Sequence, residues 1–414
     1  MTDGDDPSTR VARRALLAGG LAAGLAGLQP VPARAQGLRQ PTGYLRTNWS
    51  RDPFTLGSYS FVANGARRRD SRALAAPIDG RIFFAGEATH PNYNSTVHAA
   101  YETGAIAAEA VLESGAWEVA VIGAGISGLA TAQALGAEGV PVDVIEARGR
   151  LGGRIWTSDA LGMPLDLGAS WVHGLRGNPL TELTDRLGMD LVVTDDDATP
   201  RGAGRVMAWA EMPDWVRDVV EVQHSAGADR AQINGNAYFA QGDYGGADAV
   251  LAGGYGPLIT HLAQDLDIYL NAEVSGIALR DGGVRIDYAG GGFDRYDAVI
   301  VTVPLGVLQA GRIAFDPPLP EAHQGAVDRL GMGLLDKVFL RFEARFWDDT
   351  TWIITPDTGL ARGQFNQWLN LYKVLGVPVL MAFNGARPAR DLAALPDDEV
   401  LARAVAVLDR AYPA

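Results

Sequence analysis

WEVAVIGAGISGLATAQALGAEGVPVDVIEARGRLGGR, residues Trp117 to Arg154, decides the fold. Its apolar, β-branched run Val119 to Ile122 reads as a buried strand. The turn Gly123-Ala124-Gly125-Ile126-Ser127-Gly128 comes next, then an Ala/Leu-rich helix to about Glu138, then a second apolar run, Val142 to Ile145, ending at Glu146. Strand, GxGxxG turn, helix and strand, with an acid eighteen residues past the last glycine, is the order that binds a dinucleotide. Gly123 permits the tight turn, Gly125 lets main chain approach a pyrophosphate, and Gly128 lets helix and strand close on each other. The helix N-terminus offers free N–H groups to phosphate, and Glu146 suits a pair of ribose hydroxyls.

Just beyond Glu146, Leu151-Gly152-Gly153-Arg154 supplies a second glycine pair and a cation for the same pyrophosphate. GxGxxG, then Glu146-Ala147, then Gly152-Gly153-Arg154 resembles the flavin-dependent amine oxidase superfamily of monoamine oxidases, polyamine oxidases and lysine-specific histone demethylases. The resemblance implies FAD rather than NAD. It also implies an α/β fold with a Rossmann-like FAD domain and a substrate domain of mixed sheet and helices.

The chain has 414 residues, enough for two domains with sizeable cores. It has no cysteine, which excludes disulfides, thiolate metal sites, a cysteine nucleophile and cysteinyl attachment of a flavin, so FAD is expected to bind noncovalently. The histidines show no metal spacing. A net charge of −14 argues against nucleic acid and suits a small cationic amine, although solubility alone also accounts for it.

Residues 1–36 read as an export signal of the twin-arginine type: Arg13-Arg14, an apolar stretch Ala15 to Leu28 too short to span a membrane, and Ala33-Arg34-Ala35 as a cleavage site. That predicts a protein exported with its cofactor, to a bacterial periplasm, with no stable membrane insertion afterwards. An arginine-containing tail is the plainer alternative.

Segment order is the unexpected feature. Tyr44 to Ala66 and Arg81 to Leu112 resemble the C-terminal end of the superfamily, yet they precede the glycine turn. The end of the chain, LMAFNGARPARDLAALPDDEVLARAVAVLDRAYPA, resembles the segment that in the superfamily leads directly into YLRTNW. The chain therefore reads as a circular permutation, with a scrambled reading frame as the alternative. Arg81–Ala85 as a strand, Val97–Glu113 as a helix and Val119–Ile122 as the next strand make a permissible βαβ crossover. Ala414 should then lie near Gly37. The implied organisation is a substrate-domain segment over 37–80, the FAD domain over 81–176 and 251–304, a shortened helical region over 177–250, and the substrate domain over 305–414.

The resemblance supplies the site. Gly86 and Glu87 fall on the FAD diphosphate and ribityl chain, and Val97 opens a helix aimed at the flavin. Around the glycine turn, Ile126, Ser127 and Arg148 join the cofactor-contacting set with Val274. Gly168, Ala169, Ser170 and Trp171 form a second flavin-contacting segment. Lys337 matches the lysine that holds a water against the flavin. Tyr59 and Thr96 match the two positions that flank the substrate, His173 matches a histidine near it, and Trp49 is an aromatic beside the ring system. Each has a plainer alternative: a helix cap at Gly86-Glu87, a strand-end lysine at 337, core aromatics at 49 and 59, and a core histidine at 98.

The implied reaction is oxidation of a primary or secondary amine, polyamine-like, by FAD, with dioxygen reduced to hydrogen peroxide. Two rivals stay open: a flavin dehydrogenase or desaturase passing electrons to another acceptor, and a non-catalytic permuted flavin-binding protein. Oligomeric state is left open.

Overall fold

The computed structural model describes residues 40–413. The export signal, and the expected closeness of Gly37 and Ala414, lie outside them. The sheet that carries the glycine turn has five parallel strands in the spatial order Asp267–Tyr269, Val142–Ile145, Val119–Ile122, Ala298–Val301, Ile82–Phe84. Val119–Ile122 and Ala298–Val301 are buried at every residue, as strands covered on both faces must be. Alternation sorts them. Val119, Val121, Ala298 and Ile300 face the helices Val97–Ser114 and Ile126–Ala137. Ala120, Ile122, Val299 and Val301 face a four-stranded sheet that contributes Ile277, Val284 and Ile286.

Helix Val97–Ser114 starts on Thr96, whose hydroxyl accepts the Ala99 N–H at 3.2 Å, and stops at left-handed Gly115 (φ 74°). It lies close against Ile126–Ala137: a side chain at Gly104 would run into the Ser127 carbonyl oxygen, and Thr131 Oγ1 donates to the Gly104 carbonyl at 3.0 Å. The strand Ile82–Phe84, this helix and Val119–Ile122 thus form the expected crossover within one parallel sheet.

A second sheet runs Gly43–Arg46, Leu335–Arg341, Val379–Gly385, Gln367–Asn370, Trp352–Ile354, Ala198–Gly202, Arg205–Val206. One face packs on helix Asp397–Ala411, in a core holding both Tyr44 and Tyr412, near the two ends of the described chain. Its other face sets Phe339, Met381 and Phe383 against Leu161, Leu165 and Leu167.

One expectation is corrected here. The stretch 177–250, read as a helical region, also contributes strands Leu191–Thr194, Ala198–Gly202, Arg205–Val206 and Asp248–Leu251. Propensity does not announce Ala-Thr-Pro-Arg-Gly as a strand; parallel pairing with Trp352–Ile354 imposes it. The run DIYLNAEVSGIAL, Asp267 to Leu279, divides between two sheets at Asn271 (φ 57°), a residue type that tolerates the left-handed region. Among the described residues no helix is long and apolar enough to cross a membrane.

Candidate active site

One cavity of about 1150 Å³ reaches from the C-terminal end of the parallel sheet to the face of the second sheet. At its first end the wall is main chain. Gly123 (φ 110°) turns the chain beneath Thr302, and a side chain there would meet Thr302 Oγ1 at 2.7 Å. Gly125 caps helix Ile126–Ala137 with no side-chain bond, and a Cβ on it would meet no protein atom within 4 Å. Gly152 bridges to Gly125, donating its N–H to the Ala124 carbonyl at 2.9 Å. Glu146, buried, accepts the Ala124 N–H and the Arg148 N–H, each at 2.8 Å. Ser127 also lines the cavity at the helix N-terminus, although its Oγ is buried, without a partner among the described residues. A helix N-terminus without a side-chain cap and an open glycine face fit a diphosphate, and Glu146 fixes the turn that presents them.

At the second end the wall is side chain. Trp171 stacks on Trp352 at 6.0 Å, and Phe383 sits about equally far from both, at 5.9 and 6.0 Å. Tyr59 donates its hydroxyl to the His224 carbonyl, so its proton is held, and burial pushes its pKa well above the ordinary range. Lys337 Nζ donates to the carbonyls of Asp166 (3.1 Å) and Gly168 and to Ser170 Oγ (2.6 Å). Burial lowers its pKa to about 8, against the opposing charge of Asp166. Carboxylates of Asp195, Asp196, Asp243 and Asp248 also border the cavity, and His173 Nδ1 lies 2.7 Å from Asp248 Oδ2.

The cavity gathers the catalytic candidates Lys337, Tyr59, Thr96 and His173 and the cofactor candidates named above, from Trp49 and Val97 to Val274. Gly128 is the exception: it stays under the turn, where a Cβ would strike the Gly123 carbonyl, so its part is packing. Several expected roles change once partners are visible. Glu87 is turned inward, taking the Ser60 N–H (3.1 Å), Ser60 Oγ (2.6 Å) and Ser95 N–H (2.8 Å), and pairs with Arg154 at 2.7 Å. Arg154 is therefore no free cation. Arg148 is likewise held, by a two-pronged pair with Asp52 at 2.6 and 2.7 Å. Thr96 Oγ1 is committed to its cap and to the Tyr93 carbonyl at 2.6 Å. All three protons of a Lys337 ammonium have protein acceptors, so a water would be met through Ser170 rather than directly. Trp49 is buried edge-on to Trp156 at 6.3 Å. His98 lies outside the wall, buried between Tyr93 and Tyr244, and burial lowers its pKa to about 4.

Sequence reasoning passed over Asp52, Phe54, His224, Trp352, Gln367 and Phe383, all at or beside the cavity. Phe383 belongs to the apolar strand Val379–Gly385, buried at every residue, so nothing in the run marks its face; Asp52, His224 and Gln367 stand in no pattern.

An α/β fold with a parallel nucleotide-type sheet and a larger mixed sheet, and with a main-chain cradle for a diphosphate continuous with an aromatic chamber, defines a dinucleotide-dependent oxidoreductase class. The chain belongs to the flavin containing amine oxidoreductase family, whose sequence pattern matches residues 25–112, 126–213 and 220–414. Polyamine oxidase 2 of Arabidopsis thaliana is 29% identical over 357 residues, covering 71% of this chain and 72% of the relative. Probable polyamine oxidase 4 of the same plant is 31% identical over 358 residues, covering 71% of each. Lysine-specific histone demethylase 2 of Homo sapiens is 28% identical over 355 residues, covering 70% of this chain and 43% of that one. A solved variant of putrescine oxidase, made to redesign its cofactor binding, shares the fold with a TM-score of 0.54 at 23% identity, covering 72% of this chain and 81% of that one.

Proposed function

We propose that the protein oxidises a primary or secondary amine of the polyamine type, using noncovalently held FAD and dioxygen. The observation that carries this reading is the continuity of the glycine cradle with an aromatic, acid-bordered chamber containing Lys337 and Tyr59. A bound flavin would supply the two-electron sink: a hydride equivalent from the amine's α-carbon and a proton from its nitrogen would leave an imine, water would convert that to an aldehyde and ammonia or a smaller amine, and dioxygen would take the electron pair and two protons as hydrogen peroxide.

The residues divide the remaining work. The N-terminus of helix Ile126–Ala137 and Gly125 would hold the diphosphate, and Glu146, which fixes the turn, would take the ribose. Asp196, Asp243 and Asp248 draw a cationic amine to the mouth. Trp171, Trp352, Phe383 and Tyr59 exclude water and favour the neutral amine, which a low-dielectric wall stabilises relative to the ammonium. Lys337 fixes the segment Asp166–Ser170 against the cavity.

The permuted order belongs to the same proposal. Two observations support it: Tyr44 and Tyr412 share one core, and the strand Ile82–Phe84 is parallel to its neighbour in the nucleotide sheet. Export through residues 1–36 is likewise proposed; appearance of the mature chain in the periplasmic fraction, abolished by Arg13→Lys with Arg14→Lys, tests it.

The test of function is the visible spectrum of the purified chain before and after spermine is added without oxygen. An oxidised-flavin spectrum that bleaches, and returns with peroxide on admitting air, is expected. A spectrum that bleaches but returns only with a dye acceptor favours the dehydrogenase. A protein that takes up no FAD refutes the enzyme reading.

A further inference from the structure

The segment Gln241-Gly242-Asp243-Tyr244-Gly245-Gly246-Ala247 belongs to no helix or strand, yet it forms part of the cavity wall: Gln241, Gly242, Asp243, Gly246 and Ala247 all border the cavity. Glycine sets its path. Gly245 (φ 68°) and Gly246 (φ 88°) take left-handed turns that other residue types resist. Its ends are tied down. Gln241 Nε2 donates to the Asn94 carbonyl at 2.7 Å, and the Gly242 N–H to the Asn92 carbonyl at 3.0 Å. The carbonyls of Gly245 and Ala247 accept the N–H groups of Arg176 and Leu175, each at 3.1 Å. Beneath it lies Gly174, next to His173, where a side chain would meet the Gly245 N at 2.8 Å and Asp243 Oδ1 at 2.9 Å.

Tyr244 leaves the wall and enters a cluster at the start of helix Val97–Ser114. Its ring stacks on Tyr93 at 4.9 Å, Tyr93 stacks on His90 at 5.0 Å, and His98 stands edge-on to both tyrosines. Glu102 spans the stack. One of its oxygens accepts the Tyr244 hydroxyl, and the other lies 3.4 Å from His90 Nε2. His90 Nδ1 accepts the N–H groups of Asn92 and Tyr93, at 3.2 and 2.9 Å, so the ring's proton is on Nε2, toward Glu102. Burial, and then Glu102, hold the Tyr244 pKa above the ordinary range, so the hydroxyl keeps its proton and remains the donor. A phenol donating to a carboxylate makes a charge-assisted bond, stronger than one between neutral groups. Helix Val97–Ser114 also presents Val97 and Ala100 to the cavity, so Glu102 belongs to the element that builds an adjoining wall.

We propose that Tyr244 is a latch and Glu102 its catch: together they hold segment 241–247 shut as one wall of the substrate chamber, which makes Tyr244 a positioning residue for the bound amine. The proposal rests on the amine reading above and deepens it, by naming what closes the chamber beside His173. The glycines leave the segment free to swing. Among the described residues, the Tyr244 hydroxyl makes the one side-chain hydrogen bond between the tied ends, so it sets how much of the time the wall is closed. An open wall admits water and loosens the hold on substrate. The latch therefore acts on binding and leaves the chemistry at the α-carbon to other groups.

The test uses the full chain loaded with FAD, as the native protein, Tyr244→Phe, Glu102→Leu and Glu102→Gln. Amide hydrogen exchange over 241–247 is followed without amine. Affinity for 1,4-diaminobutane is measured by calorimetry with the flavin photoreduced, so that the amine is not consumed, and bleaching of the oxidised protein is followed without oxygen. Tyr244→Phe keeps the stack and loses the bond; it and Glu102→Leu should weaken diamine affinity about threefold to tenfold, the loss of one hydrogen bond, and speed exchange over 241–247 by about the same factor. The bleaching rate at saturating diamine should change by less than about twofold, with native flavin content. Glu102→Gln, which keeps an acceptor, should stay near the native protein. Native affinity and exchange in Tyr244→Phe overturn the proposal. So does a variant that exchanges faster throughout and sheds flavin, since the cluster would then hold the whole fold rather than the wall. If Tyr244→Phe fails to fold, the contrast between Leu and Gln at position 102 decides. If the native protein holds flavin yet neither binds the diamine nor is bleached by it, the amine reading fails, and exchange over 241–247 still judges the latch.

Discussion

At the glycine turn the cavity wall is main chain, and its residues are neighbours in sequence; in the aromatic chamber the wall is side chain, and its residues come from well-separated stretches. The first end is shaped by what is missing: Gly125 and Gly153 leave room for a ligand by having no side chain, while Gly123 and Gly152 let the chain close on Thr302 and Ile155. The second end is shaped by what each side chain is tied to. Tyr59 is tied to His224, His224 to Gln367, Lys337 to Asp166, Gly168 and Ser170, and His173 to Asp248. The difference teaches where each end is vulnerable: volume ruins the first, and a lost partner retunes the second.

Arg154 and Glu87 join the two ends, so breaking that pair should have the largest effect. Arg154→Leu leaves a carboxylate that is only 4% exposed without its ion partner. A loss of about 3–5 kcal/mol is expected in denaturant unfolding, together with loss of flavin. Unchanged stability would mean the two ends are held independently.

Gly128→Ala tests the sensitivity of the first end to volume. Its Cβ has no room beneath the Gly123 carbonyl, so destabilisation of about 3 kcal/mol, near the upper end for overpacking, should accompany a fall in bound flavin. An alanine variant with native flavin content and melting temperature would show that the turn can move.

Lys337 probes the second end through pH. It loses its proton near 8 when folded and near its ordinary 10.5 when unfolded. Between those values the unfolded chain binds more protons, so this group makes the protein more stable as pH rises from about 8 to 10.5, by on the order of 3 kcal/mol. Below 8 both states are protonated and the contribution is constant. Lys337→Met should flatten the rise of melting temperature over that window; a persistent rise would assign it to another group.

The smallest effect belongs to the mouth. Asp196 is exposed and borders the cavity, so Asp196→Asn should lower kcat/KM for a cationic amine by about twofold to threefold at low salt, with little change at high salt. A difference that survives high salt would mean direct contact rather than steering.

Much of the first end was legible from residues 117–154. A glycine needed for close approach, a buried β-branched strand and an acid at fixed separation are local properties, and local order survives whatever the rest of the chain does. The site's charges were less legible. Arg148, Arg154 and Glu87 read as ligand-facing groups because a sequence shows ionisable residues without their partners. Folding gave them Asp52, Ser58, Ser60 and Ser95 instead. His224 and Gln367 could not be read at all, since they lie 143 residues apart and neither stands in a motif.

By itself, then, the sequence determined the parallel sheet, its glycine turn, the crossover through Val97–Ser114 and the family. Hydrophobic alternation and glycine placement act over a few residues and tolerate few alternatives. Only the tertiary structure decided that Ala198–Gly202 is a strand, that Glu87 and Arg154 satisfy each other, and that a neutral histidine faces Tyr59 and Gln367. Those outcomes depend on which distant groups meet once water is excluded, because a buried charge or donor is stabilised by whatever partner the fold delivers, not by its neighbours in the chain.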